Sequence, residues 1–277
     1  MKVDLHCHSC VSDGLLSPSE VVRRAAANGV ELLALTDHDH LGGNVEAAGI
    51  ADELGVQFVN GVEISVSWMD TTVHVVGLGV ALDDAGLQAG LAYIRSGRDS
   101  RALRMGEALA NIGIRGAYEG AMRFAQSSAL VGRAHFARFL VEQGYCRDVG
   151  TVFQHYLIRG KPGFVDHPWA TLAEAVGWIT GAGGVAVLAH PGRYRISGAE
   201  LVGLLSEFRR LGGRALEVVS GADDEELRRR MAHHAREFGF LASCASDFHG
   251  PEESLVDLGR MAGLPADLDP VWKCLGR

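Results

Sequence analysis

The chain contains no uninterrupted run of about 18 apolar residues, the length that a membrane-spanning helix requires. Its first residues begin a strand pattern directly and lack the charged and then apolar segments of a secretory signal peptide. The five cysteines are an odd set without the spacing of a disulfide framework, since only Cys7 and Cys10 are close in sequence. We therefore expect a cytoplasmic globular protein with no membrane contact.

The chain is long and apolar enough for one substantial core, with 277 residues and 47% hydrophobic content. The net charge of −8 is unevenly spread, because residues 95–161 contain eleven basic residues and five acidic ones, which leaves −14 for the remainder. This asymmetry argues against a protein that coats long nucleic acid. It is suited to a small anion held where a basic segment overhangs an acidic body.

Short apolar strands alternate with amphipathic helices in both halves of the chain. The segment "SPSEVVRRAAANG" has the features of one such helix, with a capping box between Ser17 and Glu20 and Pro18 in the first turn. Strands that alternate with helices predict a parallel sheet or an α/β barrel. The alternation stops after about Asp83 and resumes at about Leu172.

Residues 84–165 have a mainly helical pattern with no convincing strand, and "ALRMGEALANIG" and "RAHFARFLVEQG" are the clearest helices. We therefore predict a barrel formed by residues 1–83 and 166–277, which carries a metal site. The helical insert of residues 84–165 is predicted to be a subdomain that acts as a substrate-binding cap.

Histidines and carboxylates recur at the ends of the predicted strands. In a (β/α) barrel the carboxyl ends of the strands meet on one face, which carries the active site. Imidazoles and carboxylates gathered there are typical ligands of divalent metal ions in hydrolases. The residues concerned are His6, His8, Asp37, His38, Glu63, His74, His190, Asp247 and His249.

Cys7 and Cys10 form a C-x-x-C pair, which in other proteins is a redox or zinc motif. On a strand Cys7 points away from His6 and His8, so a site shared with Cys10 would need a sharp turn at Ser9. We interpret both as buried, inert thiols. Four further histidines are interpreted as solvated or structural: His155, His167, His233 and His234.

The motifs "DLHCHSCVSDG", "LLALTDHD", "GVEIS", "HVVGLG", "LAHP" and "ASDFH" resemble, in order, those of the PHP (polymerase and histidinol phosphatase) family. The resemblance implies a distorted seven-stranded (β/α) barrel, and the predicted strands also number seven. It further implies a trinuclear metal site. The implied ligand sets are His6, His8, Glu63 and Asp247 for one ion, Glu63, His74 and His190 for a second, and Asp13, His38 and His249 for a third.

Asp13 departs from the pattern of the family, since many relatives have histidine at this position. A carboxylate shifts metal preference toward harder ions such as Mn²⁺. The resemblance therefore implies up to three divalent ions, with Mn²⁺ preferred and Zn²⁺ or Fe²⁺ as alternatives. It assigns no catalytic group beyond the metal ligands.

Within the family, "TDHDHLGG" and the arginine-rich insert resemble the branch of nucleoside 3',5'-bisphosphate phosphatases and 5'-3' exoribonucleases. A substrate with two phosphates needs a cationic pocket for the phosphate that is not cleaved, and arginine binds phosphate bidentately. On a helix only neighbours such as Arg101 and Arg104 can act together. The candidate anchors are Arg101, Arg104, Arg133 and His135, with Lys161 as a further candidate.

The expected reaction is metal-assisted hydrolysis of a phosphate monoester, with conversion of pAp to AMP and phosphate. Two alternatives within the family are a 5'-3' exoribonuclease that acts on short 5'-phosphorylated oligonucleotides and a histidinol-phosphate phosphatase. A metal-dependent amidohydrolase is a third, although many of these need a strand-end lysine and the chain has only Lys2, Lys161 and Lys273. A non-enzymatic module that serves a polymerase is the fourth.

Overall fold

The fold begins with two strand-helix units and a third strand, and the computed structural model describes residues 1–275. The first three strands pair in parallel. The first helix starts at the predicted capping box between Ser17 and Glu20, with Pro18 in its first turn. The element bounds are β1 (Val3–Asp4), α1 (Pro18–Ala27), β2 (Leu32–Leu35), α2 (Asn44–Leu54) and β3 (Gln57–Trp68).

The fourth strand, β4 (Thr71–Leu78), runs antiparallel to β3, so the expectation of a parallel sheet does not hold there. Only a tight turn separates β3 from β4, and a parallel crossover needs a dozen or more residues. The chain must therefore reverse. Because of this reversal the first half of β4 lies at the carboxyl ends of the other strands, and His74 is placed opposite Ser65.

The second half of the chain completes the sheet in the order β1-β2-β3-β4-β6-β7-β8, with a short β5 paired to β3 outside this order. The last strand returns to the first through hydrogen bonds from Leu5 N to Cys244 O (3.1 Å) and from Asp247 N to His6 O (2.9 Å). The predicted distorted seven-stranded barrel is confirmed. The bounds are β5 (Ala170–Thr171), α7 (Leu172–Gly181), β6 (Val185–Leu188), α8 (Gly198–Arg210), β7 (Ala215–Ser220), α9 (Glu225–Phe238) and β8 (Leu241–Ala245).

Between β4 and β5 the described elements are all helical. The first helix is shared between two cores: Leu87, Leu91 and Ile94 pack into the core of the barrel, whereas Met105 and Leu109 belong to a separate core of the helical segment. One continuous helix therefore joins the segment to the barrel. The bounds are α3 (Ala85–Ala110), α4 (Ala117–Met122), α5 (Arg133–Glu142), α6 (Val149–Val152) and a π-helix (Phe153–Leu157).

Charged residues occur along the whole length of α3, which has 26 residues, and two of its arginines, Arg98 and Arg101, are buried. Burial of an arginine is unfavourable unless the guanidinium meets a partner. The buried face of α3 therefore points to polar contacts between this helix and the barrel. Among residues 1–275, no helix combines the length and the apolar character needed to cross a membrane.

We predict that Phe136→Ala lowers the free energy of unfolding by about 3–5 kcal/mol, because Phe136 is fully buried in the helical core and its truncation leaves a cavity. Leu103→Ala, at a position in α3 that is 45% exposed, is the matched control and should change it by less than about 0.5 kcal/mol. Urea unfolding of both variants measures the difference. Equal effects would contradict a packed core in the helical segment.

Candidate metal centre

The nine residues predicted as metal ligands meet at one end of the barrel. Five of them lie on the wall of a cavity of about 810 Å³, and both faces of the carboxylate of Glu63 meet imidazoles below it. The convergence follows from the topology, since parallel strands end on this face and the reversed β4 begins on it. The nine are His6, His8, Asp13, His38, Glu63, His74, His190, Asp247 and His249.

The innermost group consists of His6 and His8, whose Nε2 atoms lie 3.1 Å apart. Oε2 of Glu63 is 3.3 Å from Nε2 of His6 and 3.4 Å from that of His8. Oδ1 of Asp247 is 3.6 and 3.3 Å from the same two nitrogens. Two nitrogens and two carboxylate oxygens therefore face one point, as they must to hold a divalent cation.

The second group shares Glu63 through its other oxygen. Oε1 of Glu63 lies 2.9 Å from Nδ1 of His74 and 3.0 Å from Nε2 of His190. Burial alone would raise the pKa of Glu63, but the surrounding imidazoles hold it well below its usual value. The carboxylate is therefore kept ionised and can serve both groups of donors.

The third group is formed by Asp13, His38 and His249 together with His8, and their donor atoms all lie within 4.8 Å of one another. Oδ1 of Asp13 is 3.5 Å from Nε2 of His249, and its Oδ2 is 3.8 Å from Nε2 of His38. Although burial opposes it, the imidazoles lower the pKa of Asp13. The sequence pattern placed His8 only in the first set, whereas its ring lies between the first and third groups.

The donor set fits divalent metal ions on two further observations. Nδ1 of His8 is a buried polar atom that has no hydrogen-bond partner within the described part of the chain, and it faces Asp13 at 3.8 Å. Buried polar atoms are nearly always satisfied in native proteins, so an unsatisfied one indicates a missing ion or ligand. Oxygen and imidazole donors together suit Mn²⁺, Zn²⁺ and Fe²⁺.

The backbone is strained where three of these loops leave their strands. Asp39, His190 and Asp247 have φ angles of 51°, 30° and 53°, in the left-handed region that residues with a Cβ seldom adopt. Such strain persists only where surrounding contacts enforce it, and it clusters at functional sites. Here it turns the chain sharply at the strand ends and aims the donors inward.

Glu217 was missed by the sequence analysis, although it orients two of the donors. It is buried in β7, where Oε1 accepts a hydrogen bond from Nδ1 of His6 (2.7 Å) and Oε2 accepts one from the backbone N–H of His190 (2.7 Å). The first bond fixes the tautomer of His6 and leaves its Nε2 free for a metal. A single acid inside the apolar strand "ALEVVS" was the available signal.

Arg193 and Asp37 were also not predicted as functional residues. Arg193 lies on the cavity wall and forms an ion pair with Asp247. Asp37 is fully buried and accepts hydrogen bonds from Ser9 N (2.8 Å), Ser9 Oγ (2.6 Å) and Ser12 Oγ (2.6 Å). Asp37 therefore holds the loop that presents the third group's aspartate, rather than a metal.

The candidate phosphate anchors separate into two pairs. Arg101 and Arg133 line the cavity. Arg104 is exposed and lies off the cavity wall, so it does not act together with Arg101 as the helical spacing suggested. His135 is buried, and its Nδ1 accepts a hydrogen bond from the N–H of Gly132 (2.9 Å), which makes it part of the helix start. The further candidate Lys161 is exposed and also lies away from the cavity wall.

The C-x-x-C pair forms no shared site. Cys7 is fully buried in the layer between the barrel and the helices, and its thiol donates a hydrogen bond to Ala34 O at 3.3 Å. The interpretation as a buried, inert thiol therefore suits Cys7. Cys10 is only half-buried and accepts a hydrogen bond from the side chain of Gln126 in the helical segment.

An α/β barrel with imidazoles and carboxylates gathered at the carboxyl ends of its strands is the architecture of hydrolases that work with divalent metal ions. The model of the PHP domain matches residues 4–95. A 3',5'-nucleoside bisphosphate phosphatase from Chromobacterium violaceum is 49% identical over 271 residues, which cover 98% of this chain and 95% of that protein. A 5'-3' exoribonuclease from Escherichia coli is 40% identical over 98% of this chain and 92% of its own length. The chain belongs to the PHP family.

Solved structures agree on the fold. A structure from Chromobacterium violaceum, described as an amidohydrolase with bound sulfate and no metal, is 49% identical with a TM-score of 0.96 and covers 99% of this chain and 96% of its own. A metal-dependent phosphoesterase from Bifidobacterium adolescentis is 26% identical with a TM-score of 0.82 over 99% and 96% of the two chains. Both cover the barrel and the helical segment together.

We predict that Glu217→Gln weakens metal binding about 10- to 100-fold, because an amide cannot accept both hydrogen bonds that orient His6 and His190. Metal content after dialysis against a graded chelator measures the loss. Glu226→Gln, an exposed residue of α9, makes the same change of charge and should leave metal content as in the wild type. Equal metal content in both variants would show that Glu217 does not support the donors.

Proposed function

We propose that the protein is a metal-dependent phosphatase that removes the 3'-phosphate of nucleoside 3',5'-bisphosphates and so converts pAp to AMP and phosphate. One observation carries the proposal. A single cavity has a floor of metal-binding donors and a wall with two arginines, Arg101 and Arg133, that no carboxylate within residues 1–275 neutralises. The 49% identical relative is named for this activity.

Arg101 and Arg133 have the properties of an anion site. Burial lowers the pKa of Arg101 well below its usual value, and the nearby guanidinium of Arg133 adds to the effect. A phosphate bound beside them would offset both costs. Arg133 is also the first residue of α5, so the positive end of the helix dipole points into the same wall as Gly132 and Ala134.

The three groups of imidazoles and carboxylates described above are proposed to hold the metal ions. When bound, divalent ions stabilise the negative charge of the phosphate and lower the pKa of water near it. Arg193, at the cavity wall beside Asp247, adds a guanidinium that can neutralise phosphate oxygens. Arg101 and Arg133 would hold the second phosphate and so fix which ester bond lies over the donors.

Mn²⁺ is the proposed ion, with Zn²⁺ and Fe²⁺ as alternatives. The argument is the chemistry of the third group, where the carboxylate of Asp13 takes the position that many relatives give to histidine. Oxygen donors favour harder ions. We further propose that residues 84–165 act as the substrate-binding cap of a barrel formed by residues 1–83 and 166–277, since Arg101 and Arg133 both come from the helical segment.

A 5'-3' exoribonuclease activity on short 5'-phosphorylated oligonucleotides is the second candidate, because relatives that are 40% identical carry that name. Histidinol phosphate has one phosphate and a cationic amine, which suits a wall of unpaired arginines poorly. An amidohydrolase with a carboxylated lysine finds no support, since Lys2 contacts Asn28 O and Lys273 contacts Asp269. The complete donor set argues against a purely structural module.

We predict that with Mn²⁺ the wild type releases phosphate from pAp faster than from 3'-AMP, 5'-AMP, a short 5'-phosphorylated RNA or histidinol phosphate. The reason is that only a bisphosphate occupies the donors and the arginine wall together. A phosphate-release assay on this panel, repeated with Zn²⁺ and Fe²⁺, makes the comparison. Faster turnover of the RNA or of histidinol phosphate would replace the proposed substrate.

We predict that Arg101→Ala raises KM for pAp about 10- to 100-fold, since a charged hydrogen bond contributes about 1.5–3 kcal/mol. KM for 4-nitrophenyl phosphate, which lacks a second phosphate, should change little. Arg104→Ala removes an equal charge from the exposed side of α3 and is the control. If KM for the two substrates rises by the same factor, Arg101 does not anchor the second phosphate.

A further inference from the structure

The third group of donors, Asp13, His38 and His249, is the outermost of the three. Their side chains are 13%, 17% and 23% exposed, whereas those of His6 and His8 are fully buried. Each lies in a loop beyond the end of its strand, so the sheet itself does not fix its position. What holds these loops therefore decides how well this group can bind an ion.

Arg138, on α5 of the helical segment, holds two of these loops together. Its Nε and Nη2 atoms donate to the carboxylate of Glu253 at 2.7 and 2.8 Å, and Nη2 also donates to the backbone oxygen of Asp13. Glu253 follows His249 in the same loop. The Arg138 side chain is only 6% exposed, so little water screens or replaces these bonds.

Arg98, on α3, holds the loop of His38 in a similar way. Its guanidinium donates to the carboxylate of Asp39, which is buried next to His38 and also accepts hydrogen bonds from Ser65 N (2.7 Å) and Ser65 Oγ (2.9 Å). Arg95 donates to the backbone oxygen of Asp39 at 2.7 Å. These bonds enforce the positive φ of Asp39 and thereby the direction of the preceding residue, His38.

The two inner groups receive their supports from the barrel instead. Glu217 of β7 orients His6 and His190. The hydroxyl of Tyr194 accepts a hydrogen bond from the backbone N–H of His74 at 2.8 Å. Arg193, which is also outside the helical segment, pairs with Asp247. The direct supports of the third group therefore come from α3 and α5, while those of the inner groups come from residues after β5.

We propose that Arg98 and Arg138 are positioning residues for the ion held by Asp13, His38 and His249, so that the helical segment controls the affinity of this outer ion. The inner ions depend on the barrel alone. The inference rests on the metal-binding part of the proposed function but not on the identity of the substrate. Outer supports of metal ligands typically change metal affinity about 10- to 100-fold.

The test is a titration of chelator-treated protein with Mn²⁺, in which the electron paramagnetic resonance signal of free Mn²⁺ gives the number of bound ions and their dissociation constants. The wild type should bind three ions. In Arg98→Met and Arg138→Met the most weakly bound ion should lose about 10- to 100-fold in affinity, while the other two keep theirs. Methionine retains the apolar stem and removes the donors.

Arg123→Met is the matched control, because Arg123 pairs with Glu142 on the exposed side of the same segment and should leave all three constants unchanged. Arg138→Lys, which keeps one charged donor, should lie between Arg138→Met and the wild type, and it serves if the methionine variant does not fold. Two ions in the wild type, equal weakening of all ions, or unchanged affinities would overturn the proposal. Because no nucleotide is used, failure to hydrolyse pAp is a separate result.

Discussion

One buried carboxylate, that of Glu63, is the interaction on which the rest of the site depends. It is 1% exposed, and five imidazoles approach its two oxygens. A buried charge is tolerated only with close partners, and a crowd of buried imidazoles is tolerated only with an acceptor. The requirement explains why strands from the whole circumference of the barrel end in histidines. Those histidines are His6, His8, His38, His74 and His190.

The sequence was sufficient to predict the barrel and the donor set because both follow from local pattern. A strand end is visible in the hydrophobic period, and the ends of parallel strands must converge. The reversal of β4 was not predicted, since alternation of strands and helices carries no information about a hairpin. Partners of arginines were less accessible still. Arg98 and Arg101 are three residues apart on α3, yet one contacts a buried acid and the other faces the cavity.

The helical segment has two roles in the same two helices. α3 carries Arg101 toward the cavity and Arg98 toward the loop of a metal donor, and α5 does the same with Arg133 and Arg138. Because α3 is continuous from the core of the barrel into the core of the segment, these contacts share one rigid body. Recognition of the substrate and arrangement of the outer donors are therefore not independent properties of this protein.

The seam between the first and last strands gives the donors a further significance. His6 and His8 lie on one side of it, Asp247 and His249 on the other, and few backbone hydrogen bonds cross it. A cation bound by both sides would tie the two ends of the chain together, much as a disulfide closes a long loop and removes entropy from the unfolded state. The reactive centre of the barrel is thus also the fastener of its topology, and metal supply and folding stability are linked.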